Sequence, residues 1–146
     1  MRRKEILREA KRCFGAVATE STPRDCYLDC IDLGAYIRLS GWTNVLNAIS
    51  IPLWQLIYHD CVLNYAGIGT SGVRGAEYRA YQALYTLLPT NFDSHNLRIS
   101  KELRSTCLAE MLSHEFLDGN RQKTTFSDGT SVIADFSTGN WEILRS

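Results

Sequence analysis

The sequence lacks an excess of charge of either sign. Its 146 residues include 16 basic and 16 acidic side chains, so the formal net charge is zero. Surfaces that bind nucleic acid normally carry a basic excess, which argues against such a partner. No run approaches the ~20 apolar residues of a membrane span, and no apolar core follows the basic N-terminus as it would in a signal peptide. We therefore expect a cytoplasmic protein that has neither nucleic acid nor a membrane as its partner.

Metal-ligand spacing is also lacking. The five cysteines are odd in number, and no second pair of Cys or His completes a zinc site with Cys26 and Cys30. We expect reduced, mostly buried thiols and neither a metal nor a cofactor. Asp25, Asp29 and Asp32 are compatible with a metal or sugar site or with an irregular surface loop. The loop is favoured, because a calcium loop needs closer ligand spacing and a turn glycine.

One apolar stretch dominates the sequence. Between Ile51 and Tyr58 only Pro52 and Gln55 interrupt the apolar and aromatic side chains, and His59 and Asp60 follow directly. We interpret this run as a buried strand of a parallel sheet covered by helices. Ligands bind at the carboxyl ends of such strands, so His59 and Asp60 are candidate site residues.

The remaining pattern predicts an α/β chain that ends in antiparallel strands. Residues 2–13 and 73–88 show helical apolar spacing, and Ser100 is a candidate N-cap for a further helix that reaches Leu112. Residues 16–18 predict a short strand that leaves Glu20 near its carboxyl end. In the tail, Asp128-Gly129 is a strong two-residue hairpin signal between two strands, and residues 141–144 predict a third.

A glycine-rich segment separates the central stretch from the next predicted helix. Gly67, Gly69 and Gly72 have the spacing of a dinucleotide-binding fingerprint. The acidic residue expected ~20 positions later, at the end of a second strand, is missing. We therefore favour a flexible loop above the strand end over a nucleotide site, although both interpretations are carried forward.

Three stretches occur in an order that resembles a known family. Residues 15–21, residues 51–60, and residues 114–117 with 124–130 together make up about thirty positions. They are similar to the carboxyl-terminal part of a family of large bacterial glycoside hydrolase-like proteins, which is related to the endo-α-N-acetylgalactosaminidases. The resemblance implies an α/β fold with a partial (β/α)8-type barrel segment over residues 1–112. A short antiparallel β meander over residues 113–146 would then begin a β domain.

The resemblance also implies site roles and a carbohydrate partner. Glu20 and Asp60 would be the two catalytic carboxyl groups, which a glycosidase holds ~5 Å or ~6.5–9.5 Å apart. His59, Tyr27 and Trp54 would contact the sugar. The structural alternative, in which His59 and Asp60 satisfy each other or nearby backbone groups, carries at least equal weight.

The chain is shorter than a complete barrel, which takes ~250 residues. Half a barrel exposes sheet edges. Three explanations are compatible with this length. The chain is a truncated or split gene product, a subunit whose open edges a partner chain or oligomer covers, or a small domain that folds alone. The truncated or split gene product is favoured. Glycoside hydrolysis, without a complete catalytic site in this chain, competes with a non-catalytic carbohydrate-binding or assembly module. The second predicts exposed Trp42, Trp54 or Trp141 beside polar groups.

Overall fold

Helices and two separate β-sheets make up the described part of the chain. The computed structural model describes residues 2–19, 24–36, 51–66, 75–90 and 92–146. The helices are α1 (Arg2–Phe14), α2 (Leu53–Tyr58), α3 (Ala76–Leu84) and α4 (Ser94–Glu102), with a 3-10 helix at Asp25–Cys30. The strands are β1 (Ala18–Thr19), β2 (Leu33–Tyr36), β3 (Leu63–Ala66), β4 (Met111–Phe116), β5 (Arg121–Phe126), β6 (Thr130–Asp135) and β7 (Trp141–Arg145).

The first sheet is parallel and its strands follow the order of the chain. β1 lies beside β2 and β2 beside β3, so that Thr19, Gly34 and Asn64 are in register. Leu88 continues the sheet on the far side of β3, where it forms a parallel bridge with Tyr65. Its amide donates to the Asn64 carbonyl, and its carbonyl accepts from the Ala66 amide. Each of β1, β2 and β3 therefore pairs in parallel with the strand or bridge that comes next in the chain. Parallel neighbours of this kind require a crossover connection between them.

The second sheet is an antiparallel meander in the order β4-β5-β6-β7. The predicted hairpin at Asp128-Gly129 is confirmed. Gly129 has a φ of 82°, a left-handed conformation that glycine adopts without a steric cost. One carboxylate oxygen of Asp128 accepts from the Thr130 amide at 2.9 Å. The predicted third strand is also confirmed as β7, whereas β4 was missed.

A single core cluster joins the helices to the second sheet. α3 packs on β5, β6 and β7, while α2 packs on β4. The shared apolar interior combines alanines of α3 with large side chains of the meander. Its members include Ala80, Ala83, Leu84, Leu87, Ile99, Leu103, Met111, Phe126, Val132 and Trp141. The alanines allow the helix backbone to approach the sheet closely, which positions both ends of α3 against it.

The closely spaced acids hold α1 in place. Asp29 accepts from Lys4 and Arg8 at 2.9 and 2.8 Å. Asp32 accepts from Lys11 at 2.7 Å and from the Val17 amide, and these two donors lower the pKa of the Asp32 carboxyl. These contacts agree with the structural interpretation of this segment. Within the described ranges, no cluster of His, Cys, Asp and Glu is suited to hold a metal ion.

The prediction of a strand over residues 51–58 was wrong. Residues Leu53–Tyr58 form α2, and the strand follows at Leu63–Ala66. Besides Pro52 before the helix, the buried residues of the stretch are Gln55 and His59, four positions apart, whereas Leu53 and Ile57 are more than half exposed. A short apolar run does not distinguish a helix from a buried strand by periodicity. Here polar residues occupy the inner helical face, which inverts the expected pattern.

Two helix boundaries also differ from the prediction. α3 ends at Leu84, so that Leu88 is free to pair with β3. The next helix begins at Ser94 rather than after Ser100, because Asp93 caps it by accepting from the Asn96 amide at 2.8 Å. Aspartate and serine are comparable N-caps. Local sequence therefore did not distinguish Asp93 from Ser100 as the start of this helix.

The cysteines are free, as predicted, but not mostly buried. Cys13, Cys26 and Cys61 are exposed and Cys107 is half-buried, which leaves Cys30 in the interior. The α/β class is confirmed by the parallel sheet together with the separate antiparallel sheet. The domain boundary predicted at residue 112 stays a prediction; β4 begins at Met111. No helix in the described ranges is long and apolar enough to cross a membrane.

Candidate functional site

A polar cleft lies between the first turns of α3 and α4 and the turn that connects β6 to β7. Its volume is about 460 Å³, which falls within the range of ligand pockets. We call it the arginine cleft. Its lining residues are Arg79, Asp93, Ser94, His95, Arg98, Gly139, Asn140 and Trp141.

The β6–β7 turn forms one wall of the cleft because Gly139 lets it approach α3. Gly139 has a φ of 73°, and a Cβ atom at this position would lie 2.7 Å from the Cα of Ala76. Asp135 shapes the same turn by accepting from the Ser137 amide at 2.8 Å. Arg79 donates to the Thr138 carbonyl at 3.2 Å. The close glycine contact and the arginine therefore fix the turn against the start of α3.

A directional chain of hydrogen bonds supports the floor of the cleft. The indole Nε1–H of Trp141 donates to Nδ1 of His95 at 3.5 Å, and an indole only donates. His95 therefore carries its hydrogen on Nε2, which donates to Oε1 of Gln82 at 3.1 Å. The Gln82 amide donates in turn to Oδ1 of Asn96 at 2.8 Å. This arrangement requires a neutral imidazole, and it ties β7, α4 and α3 together.

Three charged residues influence the pKa of His95. Burial lowers the pKa of its imidazole; Asp93 raises that pKa, whereas Arg79 and Arg98 lower it. Both guanidinium groups line the same cleft as the ring. Since the net shift is downward, the neutral tautomer required by the hydrogen bonds is also the form favoured at neutral pH.

The guanidinium group of Arg98 lies over the ring of Trp141. Its guanidinium carbon lies 3.8 Å from the centre of the ring, and its Nε donates to Glu102 at 3.2 Å. A guanidinium has five N–H donors. Among the described residues, Arg98 donates a hydrogen bond to Glu102 alone, and Arg79 donates one to the Thr138 carbonyl alone. Both arginines therefore keep donors for an acceptor that enters the cleft.

The carboxyl edge of the parallel sheet is the second candidate region. Ligands bind at this edge in parallel α/β folds. The Tyr65 hydroxyl reaches across β2 and donates to the Thr19 carbonyl at 2.7 Å. Thr90 donates to the Ala66 carbonyl at 3.1 Å. The residues that follow β1, β2 and β3 lie outside the described ranges, and so does the glycine-rich segment.

The predicted catalytic residues fall in different places. Glu20 lies outside the described residues, directly after Thr19, which ends β1 at the carboxyl edge. Asp60 is exposed and follows α2, three positions before Leu63 begins β3 at the amino edge. The assumption that Asp60 follows a strand was therefore wrong. The pairing of Glu20 with Asp60 stays a prediction.

His59 is buried against protein oxygens. Its ring is 2% exposed. Nδ1 donates to the Ala109 carbonyl, and Nε2 lies 2.8 Å from Oγ1 of Thr86 and 3.2 Å from the Tyr85 carbonyl. Burial lowers the pKa of this imidazole, although the two carbonyl contacts raise it. The ring therefore joins three segments of the chain, and the predicted sugar contact stays a prediction.

The two aromatic side chains predicted to contact sugar are both half-buried. Trp54 is half-buried on α2; its Nε1 donates to Oδ1 of Asn64 at 3.4 Å, and its ring lies 4.6 Å from that of Tyr58. Tyr27 is half-buried in the 3-10 helix. Trp141, an alternative stacking platform, is 6% exposed, and Trp42 lies outside the described residues.

The residues of the arginine cleft were not predicted as a site. His95 and Trp141 are 46 positions apart, and each has an unremarkable local sequence. The N-cap signal of Asp93 was the single local clue, since it marks where α4 begins and hence where Ser94, His95 and Arg98 lie on its first turns.

Comparisons with known proteins show the fold. No family model matches the chain, and no curated protein matches it. It superposes on the α-N-acetylgalactosaminidase NagBb from Bifidobacterium bifidum, in a quadruple mutant, with a TM-score of 0.76, 23% identity and 98% of this chain covered. For the GalNAc complex of the same enzyme, the TM-score is 0.73, with 22% identity and 98% coverage. The chain spans about a quarter of these solved chains, at 26% of each. It therefore has the fold of part of a glycoside hydrolase.

Proposed function

We propose that this chain is a segment of a glycoside hydrolase-like protein that acts on O-glycosidic bonds. The observation that carries the proposal is the superposition of 98% of the chain on an α-N-acetylgalactosaminidase. The sequential parallel order β1-β2-β3, continued by Leu88, supports a (β/α)8-type barrel segment, because barrel strands pair with their neighbours in sequence. The antiparallel sheet that follows is proposed to begin the β domain that the resemblance implies.

The proposed place of sugar binding is the carboxyl edge of the parallel sheet. Barrel enzymes bind their substrates at this edge. Glu20 is proposed as one catalytic carboxyl, because it follows Thr19 directly at the end of β1. Asp60 is proposed as the second, with His59, Tyr27 and Trp54 as sugar contacts. The position of Asp60 beside the amino end of β3 makes it the weaker of the two carboxyl assignments.

The chain is proposed to be incomplete for catalysis by itself. A complete (β/α)8 barrel takes ~250 residues, whereas this chain has 146 and spans 26% of the solved chain. The partners expected from this are a carbohydrate and a further chain, or a second copy, that pairs with the open edge at β1. That edge is only two residues long, and it remains available for pairing among the described strands.

Sugar binding by the intact chain tests the proposed site. N-acetylgalactosamine is titrated up to about 50 mM while backbone amide shifts are followed by NMR, with its C4 epimer N-acetylglucosamine as the control sugar. We expect shifts at Thr19, Tyr36 and Ala66 that Glu20→Gln weakens. Shifts confined to the surroundings of Asp60, or none at all, would contradict the proposed site.

Hydrolysis of a nitrophenyl α-N-acetylgalactosaminide tests the catalytic part. We expect no turnover above the uncatalysed rate for the chain alone. Turnover would show that the chain carries a complete catalytic site. In that case Glu20→Gln and Asp60→Asn should each remove it. The control Asp25→Asn, at an exposed position of the 3-10 helix, should leave turnover unchanged. Turnover that survives Asp60→Asn would contradict its assigned role.

The second candidate is a non-catalytic carbohydrate-binding or assembly module. The arginine cleft favours it, because a polar, partly aromatic cleft of about 460 Å³ exists without any contribution from the predicted carboxylates. Shifts at Ser94, Asn140 and Trp141 rather than at the carboxyl edge would indicate this function. Size-exclusion chromatography addresses assembly, since a stable monomer argues against a partner chain at β1.

A further inference from the structure

We propose that the arginine cleft binds an acidic saccharide unit, a single sugar ring that carries a carboxylate. Nothing in the proposed catalytic site requires this second site. The acidic part of the proposal rests on the two arginines, and the saccharide part rests on the proposed function. The cleft volume of about 460 Å³ accommodates one sugar ring with its substituents.

The hydrogen-bond donors of the cleft favour an anion. Arg79 and Arg98 are positive, and His95 is neutral because its Nδ1 accepts from the indole of Trp141. Asp93 is the single carboxylate of the lining, and its Oδ1 already accepts from the Asn96 amide at 2.8 Å. In the described ranges, no carboxylate lies within salt-bridge distance of Arg79. Glu102, which lies outside the lining, forms a salt bridge with Arg98 through Nε, so Asp93 and Glu102 together balance the two arginines. The preference for an anion therefore rests on the N–H donors that both guanidinium groups keep, and on the lack of a carboxylate partner for Arg79 among the described residues.

The two guanidinium groups are also oriented before a ligand arrives. Arg98 lies on the Trp141 ring and is bonded to Glu102 through Nε. Arg79 is bonded through one terminal nitrogen to the Thr138 carbonyl. Side chains that are already ordered lose less conformational entropy when they bind a ligand. A planar carboxylate matches the fork of N–H donors on such a guanidinium.

Neutral polar groups complete the lining and account for a sugar rather than a bare anion. Ser94 and Asn140 line the cleft beside the arginines and supply hydroxyl and amide groups. Such groups can both donate to and accept from sugar hydroxyls. The hydrogen-bonded chain through His95 and Gln82 fixes α4 relative to α3, so the two arginines keep their separation.

Calorimetric titration of the full chain with sodium glucuronate tests the proposal, with glucose as the neutral ring of matched shape. We expect glucuronate to bind at least about tenfold more tightly than glucose, and Arg98→Gln and Arg79→Gln each to weaken it about tenfold. Arg104→Gln is the control for charge, because this exposed residue lies beyond the other end of α4. Circular dichroism verifies that each variant is folded, and Arg98→Gln, an exposed position, gives the result if Arg79→Gln unfolds the protein.

Several results would overturn the inference. Equal affinity for glucose and glucuronate, or glucuronate binding that survives both arginine substitutions, would exclude an arginine-dependent site. Acetate or sulfate that binds as tightly as glucuronate would exclude the saccharide part. Glu20→Gln should leave glucuronate binding unchanged, so that failure of the carboxyl-edge site and failure of the cleft are separate outcomes.

Discussion

His59 Nδ1 and the carbonyl oxygen of Ala109 lie 2.6 Å apart, although 50 positions separate them in the chain. This bond links the end of α2 to the segment that enters β4. On the other side of the ring, Nε2 contacts Thr86, a non-glycine residue with a φ of 48°. A buried imidazole thus connects the parallel and antiparallel parts of the fold at a point of backbone strain.

The pKa of His59 predicts how stability depends on pH. Burial lowers this pKa in the folded state below the ordinary value near 6.5. Below about pH 6.5 the unfolded chain therefore binds a proton that the folded chain resists, so stability is full above that pH and is lost as the pH falls. His95 and His114 are shifted in the same direction, with burial as the leading cause.

Urea unfolding at about pH 7.5, 6.5 and 5.5 measures this dependence. We expect the free energy of unfolding to fall toward pH 5.5, by up to about 1.4 kcal/mol per pH unit for each histidine that titrates. In His59→Asn the free energy of unfolding should fall less steeply with pH, by up to about 1.4 kcal/mol per pH unit, because one titrating group is gone. The variant should nevertheless be less stable at every pH. An unchanged slope in His59→Asn would contradict the assignment.

Two fully buried glutamines predict opposite effects of the same substitution. The side chains of Gln55 and Gln82 are both 0% exposed. Among the described residues, neither the oxygen nor the nitrogen of the Gln55 side chain has a hydrogen-bond partner, whereas Gln82 bonds to His95 and Asn96. Gln55→Met should stabilise the protein by about 1–3 kcal/mol, and Gln82→Met should destabilise it by a similar amount, because it removes the hydrogen bonds that Gln82 makes to His95 and Asn96.

Chemical denaturation of both glutamine variants checks this pair, and the unsubstituted chain is the reference. A loss of stability in Gln55→Met would indicate that Gln55 has a hydrogen-bonding partner such as a buried water. Equal effects of the two substitutions would contradict the assignment of the Gln82 network.

Two glycines separate backbone strain from close packing. Gly139 and Gly119 have similar φ values of 73° and 69°. A Cβ at Gly139 would lie 2.7 Å from Ala76 Cα, whereas nothing lies within 4 Å at Gly119. Gly119→Ala should cost about 1 kcal/mol through strain alone, and Gly139→Ala about 2–4 kcal/mol because the β6–β7 turn must also move away from α3. Thermal unfolding compares them; equal losses would show that the turn yields freely.

Neighbouring threonines of β5 test how α3 is attached to the sheet. Thr124 is 0% exposed and its hydroxyl donates to the Leu84 carbonyl at the end of α3 at 2.8 Å. Thr125 faces the opposite side of the sheet, where its hydroxyl bonds to Ser131. Thr124→Val should lose about 1–2 kcal/mol of unfolding free energy, and Thr125→Val less than about 0.5 kcal/mol. A larger loss for Thr125→Val would contradict this view of the sheet.

Local patterns predicted the parts of the fold that local chemistry controls. The α1 helix follows from apolar residues at helical spacing, and the β5–β6 hairpin follows from Asp128-Gly129, where glycine adopts the left-handed turn. The same methods failed at residues 51–58. There the buried face carries Gln55 and His59. His59 is buried against Ala109, Tyr85 and Thr86, which lie elsewhere in the chain.

The sequence by itself determined the α/β class and the antiparallel tail. Tertiary structure alone decided that His59 is an interior connection and that α2 precedes its strand. It also decided that Arg79, Arg98 and Trp141 share one cleft. The physical reason is sequence separation: hairpins and helices form through contacts a few positions apart, whereas the cleft requires three elements to pack before their side chains meet.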